Sequence, residues 1–236
     1  MKNINQMKLT ISKVVLVMVA IIVFWWILVL IELSDFQSIF GNFSDCIDIR
    51  RLIEVAFIIL VSKLYSKSLK ISLKEMFTNI DFKILALSLV GATIYLLLFQ
   101  VVLNGKMCTF KFDNWIRICW CIYIGLFEEI AFRSWGYTAF YSVYDDNSKI
   151  KLFNRFEVEK RALKASIMTN IFFALIHMQT YMMFEKYTHI WEYAGSLLIV
   201  FIVGMYFTMV FHKTKSIWNV VILHAFWDWF IGIMVF

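Results

Sequence analysis

The sequence contains no proline and only 8 glycines in 236 residues, so it lacks the Pro/Gly/Ser-rich stretches that commonly join separate domains. It also shows no internal repeat and no long polar segment that could fold as a soluble domain. What it has instead is apolar: 61% of the residues are hydrophobic and the mean hydropathy is +0.75. This composition excludes an ordinary soluble protein and predicts an all-α, polytopic transmembrane helix bundle.

Cysteine is also scarce. The 4 cysteines include no CxxC pair and no zinc-like spacing. Cys119 and Cys121 lie in an apolar run and are interpreted as small packing residues. Cys46 and Cys108 both fall in polar links on the predicted outer side, where two free thiols are favoured over a disulfide.

Apolar runs predict about seven membrane spans, with six to eight as the range. The runs are residues 9–33, 52–65, 84–103, 115–143, 165–184, 193–211 and 217–236. The first is longer than the 7–15-residue apolar region of a signal peptide, which predicts a retained helix. The second is the weakest, because it is short and contains Glu54 and Lys63, which we expect to pair or to extend toward the interface.

The net charge of +6 is concentrated in the links between these runs. Links on the N-terminal side carry 16 Lys and Arg residues, against 5 on the other side. The positive-inside rule therefore predicts a multi-pass cell-membrane protein with a cytoplasmic N-terminus, and the basic character does not indicate nucleic-acid binding.

Three charged residues, Glu128, Glu129 and Arg133, lie inside the long fourth run. An ionised side chain at membrane depth costs at least ~2.5–3.5 kcal/mol, so three together need partners. Glu129 and Arg133 are four residues apart and are predicted to form an ion pair along one helix. Glu128 is rotated by about 100° from Glu129 and is predicted to meet side chains of other helices.

Further polar residues occur at similar depth in two other runs. His177 lies in the fifth run, and His224 and Asp228 lie four apart on one helix face in the seventh. We expect Glu128, His177 and His224 to converge within ~3–7 Å. Such a set can handle protons, with the carboxylate as base, or can ligate a divalent metal such as Zn.

Structural interpretations compete with this one. A single intramembrane His bridges helices about as often as it serves chemistry. Phe173 is more simply explained by packing. His189 and His212, at span ends, are assigned no role. Convergence from three separate helices is what favours a functional site over packing.

The patterns Glu128-Glu129-x-x-x-Arg133, Phe173-x-x-x-His177 and His224-x-x-x-Asp228, in this order and each within an apolar run, resemble the signature of the CPBP family. That family contains the type II CAAX prenyl endopeptidases and the bacteriocin-processing or immunity proteins, also called Abi. The resemblance covers residues 115–236 and implies a CAAX-protease-like catalytic core there. Residues 1–114 show no family-specific feature and are predicted to form N-terminal transmembrane helices.

The resemblance implies an intramembrane endopeptidase acting on a membrane-associated peptide or protein within the lipid bilayer. Glu128 with His177 would activate the attacking water, and His224 with Asp228 would stabilise the oxyanion. The family often has Asn at the last position, whereas Asp228 cannot donate a hydrogen bond when ionised. This favours a His-orienting or metal-ligating role for Asp228. Glu129, Arg133 and Phe173 would support the geometry.

The family is commonly called a metalloprotease, although a metal-independent, glutamate-driven mechanism is also argued for it. No cofactor is strictly required, and Glu128, His177, His224 and Asp228 would be the ligands if a metal binds. Bacteriocin maturation or self-immunity is the expected setting, ahead of prenylated CAAX substrates. Two other classes stay open: a non-catalytic membrane immunity or scaffold protein, and a proton- or cation-coupled transporter. The second is disfavoured because few polar residues continue to both membrane faces.

Overall fold

The computed structural model describes residues 8–33, 49–104, 109–110, 115–152, 156–183 and 190–235. Cys46, Cys108 and His189 lie outside these ranges, so the expectations about them stay predictions. The described chain is a helical bundle whose α-helices are α1 Ile11–Leu33, α2 Ile49–Leu64, α3 Leu73–Thr78, α4 Phe82–Asn104, α5 Trp115–Glu129, α6 Thr138–Val143, α7 Lys160–Met183, α8 Ile190–Thr214 and α9 Ile217–Ile233. A π-helix, Ile130–Tyr137, joins α5 to α6 without a break.

The described part of each apolar run is helical except for a few residues at the ends of runs, which confirms the all-α class. One described helix, over Tyr193–Thr214, is long and apolar enough by length and composition to cross a membrane. Shorter apolar stretches occupy Ile11–Ile27, Phe82–Leu98 and Ile217–Gly232. The number of spans and the cytoplasmic N-terminus stay predictions.

Two short antiparallel ladders lie in segments for which the sequence predicts no strand. β2 Lys149–Leu152 pairs with β3 Phe156–Glu159 in the charged link before α7. β1 Thr109–Phe110 pairs with β4 Met234–Val235. The helix of the seventh apolar run, α9, therefore ends at Ile233 and not at the predicted limit of 236, because the backbone beyond it pairs with β1.

The core is centred on the π-helix, all eight residues of which are buried. By contrast, large apolar side chains are exposed along the outer helices: Leu16 of α1 is 68% exposed, Leu87 of α4 is 64% exposed and Leu198 of α8 is 58% exposed. Exposed apolar surface on this scale is unfavourable in water. It is the surface that a lipid-embedded bundle presents.

Helices α5 and α9 approach closely beside the predicted site. A Cβ on Gly125 would lie only 3.4 Å from the His224 Cβ, the Ala225 N and the Val221 O. Small residues at such crossings allow two membrane helices to come together. Gly125 precedes Glu128 by one helical turn, so this contact brings the glutamate-bearing segment against the helix that carries His224.

Candidate active site

The predicted convergence of Glu128, His177 and His224 is present. Glu128 Oε2 lies 3.9 Å from His177 Nε2 and 3.8 Å from His224 Nε2. Both gaps are too long for direct hydrogen bonds. They leave the carboxylate facing two imidazole edges, and polar groups at such a separation commonly share a bridging water.

His177 is oriented by its own helix. Its Nδ1 lies 2.8 Å from the carbonyl oxygen of Phe173, one turn earlier in α7. Because a carbonyl only accepts, Nδ1 carries the hydrogen and donates it. In the neutral ring, Nε2 is then the acceptor, and it is the nitrogen that faces Glu128.

His224 is held by carboxylates on both edges of its ring. Its Nδ1 donates to Glu129 Oε1 across 2.7 Å, and its Nε2 lies 3.5 Å from Asp228 Oδ2. The predicted shared face of His224 and Asp228 is therefore confirmed. The contact between His224 and Glu129 was not predicted. Because of it, one imidazole ring is bonded to Glu129 through Nδ1 and faces Glu128 with Nε2.

The predicted ion pair of Glu129 and Arg133 is also confirmed. Arg133 Nη1 lies 3.0 Å from Glu129 Oε1, and both side chains are 0% exposed. Arg133 Nη2 donates to the Gly204 carbonyl oxygen at 3.1 Å and lies 3.5 Å from Asn170 Oδ1. The guanidinium thus connects the π-helix to α7 and α8, and its position determines where Glu129 and His224 can sit.

Aromatic rings enclose this polar network. The Arg133 Cζ lies 4.5 Å from the Phe173 ring centre and 5.6 Å from that of Phe207. Phe173 also packs edge-on against Phe132 and against the His177 ring. Phe173 therefore packs, as the structural interpretation predicts, and its carbonyl orients His177 as well.

A cavity of about 240 Å³ opens beside the two histidines. Its polar wall includes His177, His224 and Asp228, and its apolar wall comes mainly from α8 and α9. The remaining lining residues are Tyr95, Leu96, Phe173, Ile199, Val200, Val203, Phe207, Trp227 and Ile231. A small, mostly apolar cavity with a few polar groups at one side is typical of a ligand site.

The described residues contain no group of three or more His, Cys, Asp or Glu side chains that could hold a metal ion. The His224 ring has Nδ1 bonded to Glu129, and its Nε2 faces the Glu128 and Asp228 carboxylates at 3.8 Å and 3.5 Å. The suggested ligand set of Glu128, His177, His224 and Asp228 stays a prediction. The mechanism proposed below is written for the side chains themselves.

The π-helix ends at a second polar cluster. The Tyr137 hydroxyl and the Lys215 Nζ lie 2.6 Å and 3.1 Å from His212 Nδ1. Lys215 joins α8 to α9 with a φ of 54°, which is uncommon for a residue other than glycine. Burial lowers the pKa of Lys215 to about 8. His212, to which the sequence assigned no role, thus ties the end of the π-helix to the end of α8.

Asn170 is a site residue that the sequence analysis missed. Its Nδ2 donates to the Ser166 carbonyl oxygen and to Thr208 Oγ1, at 2.8 Å and 3.0 Å, while its Oδ1 faces Arg133. A usable signal existed, because Asn170 lies seven residues before His177 and so shares its helix face. An amide in an apolar run on that face points to the same network.

Gly204 provides a test of this network. We expect Gly204→Ala to lower the unfolding temperature, because a Cβ there would overlap Asn170 Oδ1 and crowd Phe173 Cδ1 at 3.0 Å. Overpacking of this kind costs about 1–3 kcal/mol. Gly195→Ala on the same helix is the matched control, since a Cβ there meets nothing within 4 Å. Thermal unfolding in detergent measures both, and equal behaviour of the two variants would contradict the assigned contact.

The fold and the site together define a helical bundle with an apolar surface and a buried glutamate–histidine centre. A family model described as type II CAAX prenyl endopeptidase Rce1-like matches residues 110–230, about half of the chain. The chain belongs to this family, which confirms the resemblance seen in the sequence. The family is embedded in membranes and implies protease activity. Searches of curated proteins and of solved structures give no match.

Proposed function

We propose that this protein is an intramembrane endopeptidase that hydrolyses a peptide bond with Glu128 as the general base. The observation that carries the proposal is the approach of the Glu128 carboxylate to two imidazole nitrogens, at 3.9 Å and 3.8 Å, beside an apolar cavity. Family membership supplies the reaction class. The division between N-terminal helices over 1–114 and a catalytic core over 115–236 stays part of the proposal.

In the proposed first step, a water molecule lies between Glu128 and His177. The lone pair of His177 Nε2 accepts one water hydrogen and orients the oxygen, because Nδ1–H is occupied by the Phe173 carbonyl. Glu128 takes the other proton as the water oxygen bonds to the peptide carbonyl carbon. The electron pair of the carbonyl π bond moves to its oxygen, giving a tetrahedral oxyanion.

His224 then stabilises the oxyanion. Its Nε2–H faces the Glu128 and Asp228 carboxylates, at 3.8 Å and 3.5 Å, in the free protein, and in the reaction it donates to the developing negative charge of the substrate. Glu129 holds the opposite ring edge, and Asp228 keeps the ring oriented. Collapse of the intermediate breaks the C–N bond, and the proton held by Glu128 passes to the leaving amine. The products are a carboxylic acid, which keeps the second hydrogen of the water, and an amine, so all atoms of the added water are accounted for.

The proposed substrate is a membrane-associated peptide or protein. The exposed apolar surfaces of α1, α4 and α8 support a site reached within the lipid bilayer. Bacteriocin maturation or self-immunity is the setting that we propose on the basis of family resemblance, with the N-terminus in the cytoplasm. A non-catalytic immunity or scaffold protein is the alternative that experiment must separate from this one.

The test compares His177→Ala, His224→Ala and the double variant in the purified protein reconstituted in lipid vesicles. Membrane-tethered reporter peptides are supplied, and new peptide termini are identified by mass spectrometry. Groups acting as one unit lose function non-additively. We therefore expect both single variants to lose most cleavage and the double variant to be little worse. Two results together would favour the scaffold alternative: the wild type produces no new peptide terminus, and all three variants still protect cells against the bacteriocin in an immunity assay.

A further inference from the structure

Arg133 belongs to a closed cycle of buried polar contacts that includes Thr208, a residue that the proposed mechanism does not use. Arg133 Nη2 donates to the Gly204 carbonyl oxygen at 3.1 Å, and the Thr208 hydroxyl donates to the same oxygen at 2.8 Å. Asn170 Nδ2 donates to Thr208 Oγ1 at 3.0 Å, and Asn170 Oδ1 lies 3.5 Å from Arg133 Nη2. Arg133, Asn170 and Thr208 are each 0% exposed. The cycle therefore joins the π-helix, α7 and α8 where water is excluded.

The position of each hydrogen in this cycle follows from what the neighbouring group can do. The Thr208 oxygen accepts from the Asn170 amide, and its single hydrogen goes to the Gly204 carbonyl oxygen, which only accepts. The same Asn170 Nδ2 also donates to the Ser166 carbonyl oxygen at 2.8 Å. Oδ1 is then the amide atom that faces Arg133. Thr208 thus favours the orientation in which an oxygen, and not an NH2 group, meets the guanidinium.

Arg133 carries this arrangement to the catalytic histidine. Its Nη1 donates to Glu129 Oε1 at 3.0 Å, and His224 Nδ1 donates to the same oxygen at 2.7 Å. A shift of the guanidinium therefore moves the atom to which the His224 ring is bonded. In the proposed mechanism the opposite edge of that ring donates to the oxyanion, and a misplacement of about 1 Å in an active site can lower a rate by about 10²-fold.

We propose that Thr208 is a positioning residue of the active site. Its hydroxyl holds Asn170 in the orientation that faces Arg133. Arg133 in turn holds the Glu129 oxygen to which His224 is bonded. Thr208 and Asn170 lie outside the described wall of the cavity, so they act on catalysis through other side chains. This inference rests on the proposed endopeptidase function.

The experiment measures kcat and KM for Thr208→Val on a reporter peptide that the wild type cleaves. Valine keeps the branched shape and removes the hydroxyl. We expect kcat to fall about 10–100-fold while KM changes little, because His224 contacts the oxyanion only in the transition state and the intermediate. Thr208→Ser, which returns the hydroxyl, should recover most of the lost kcat.

Thr214→Val is the matched control on the same helix. The Thr214 hydroxyl donates to the Val210 carbonyl oxygen, four residues earlier, at 2.9 Å, and it accepts from the Ser216 N–H at 3.2 Å. This substitution therefore removes one donated and one accepted hydrogen bond, as Thr208→Val does, at the end of α8. It should keep the wild-type kcat.

A double variant separates positioning from a general loss of stability. Because Thr208 acts through Asn170, Thr208→Val combined with Asn170→Ala should have nearly the kcat of Asn170→Ala alone, since groups acting as one unit lose function non-additively. Losses that multiply in the double variant would overturn the assignment. A rise in KM with unchanged kcat in Thr208→Val would also overturn it, since that result indicates lost ground-state binding.

The same assay separates this inference from the function on which it rests. Cleavage by the wild type that falls sharply in Glu128→Gln supports the endopeptidase, and wild-type kcat in Thr208→Val would then overturn the positioning role alone. A wild type that cleaves nothing overturns both. Membrane abundance and unfolding temperature are measured for each variant, so that a folding defect is not mistaken for a loss of chemistry.

Discussion

Glu128→Gln is expected to reduce peptide hydrolysis by about 10²–10⁴-fold, the usual contribution of a general base. The amide keeps the size and most of the hydrogen-bonding capacity of the carboxylate, but it cannot take a proton from water. The two imidazole nitrogens, at 3.9 Å and 3.8 Å, are too far away for direct hydrogen bonds to the Glu128 carboxylate, so the substitution breaks no such bond to them. We therefore expect a normal unfolding temperature and normal membrane abundance.

Glu129→Gln is the matched control, because the two glutamates are neighbours on one helix and differ mainly in their partners. Glu129 accepts hydrogen bonds from both Arg133 and His224, whereas Glu128 faces the Nε2 atoms of His177 and His224. Glu129→Gln should lower the unfolding temperature as well as the rate, since it leaves the buried Arg133 charge without its counter-ion. Cleavage by Glu128→Gln at near the wild-type rate would contradict the base assignment.

Helix positions could be predicted well from the apolar runs, because a helix satisfies the backbone hydrogen bonds of a long apolar segment in lipid within that segment itself. The polar links could not be predicted in the same way. The β2–β3 hairpin and the β1–β4 ladder depend on backbone pairing, and the second of these joins residues 124 positions apart, as in Phe110 with Met234. No local pattern in the sequence carries that pairing.

The candidate site shows the same difference between contacts within one helix, which could be predicted, and contacts between helices, which could not. Pairs four residues apart on one helix, such as Glu129 with Arg133 and His224 with Asp228, could be predicted because helix geometry alone brings them together. The contact of His224 with Glu129 depends on how α9 is rotated against α5, which the close approach at Gly125 determines. The presence of Tyr95 in the cavity wall depends in turn on the packing of α4 against α9. Such rotations result from packing of whole helices and are not encoded in short spacings.

Arg133→Ala is expected to destabilise the protein by about 3–5 kcal/mol, because removing one partner leaves the other charge buried and uncompensated. Glu129 is 0% exposed, and it would keep only the His224 contact among the partners identified for it. The substitution also removes the guanidinium from the Gly204 carbonyl oxygen and from the Phe173 and Phe207 rings. Activity should fall together with the folded amount, in contrast to Glu128→Gln.

A paired substitution tests whether the stranded charge is the cause. Replacing both members of a buried ion pair with neutral groups of similar volume is often nearly neutral, whereas breaking the pair is not. We therefore expect Glu129→Gln combined with Arg133→Met to be more stable than Arg133→Met alone, although it should stay inactive because the His224 anchor is weakened. Unfolding in detergent and membrane abundance are measured for the wild type, the two single variants and the double variant. If the double variant were less stable than Arg133→Met, the loss would come from packing around Phe173 and Phe207 rather than from an uncompensated Glu129 carboxylate.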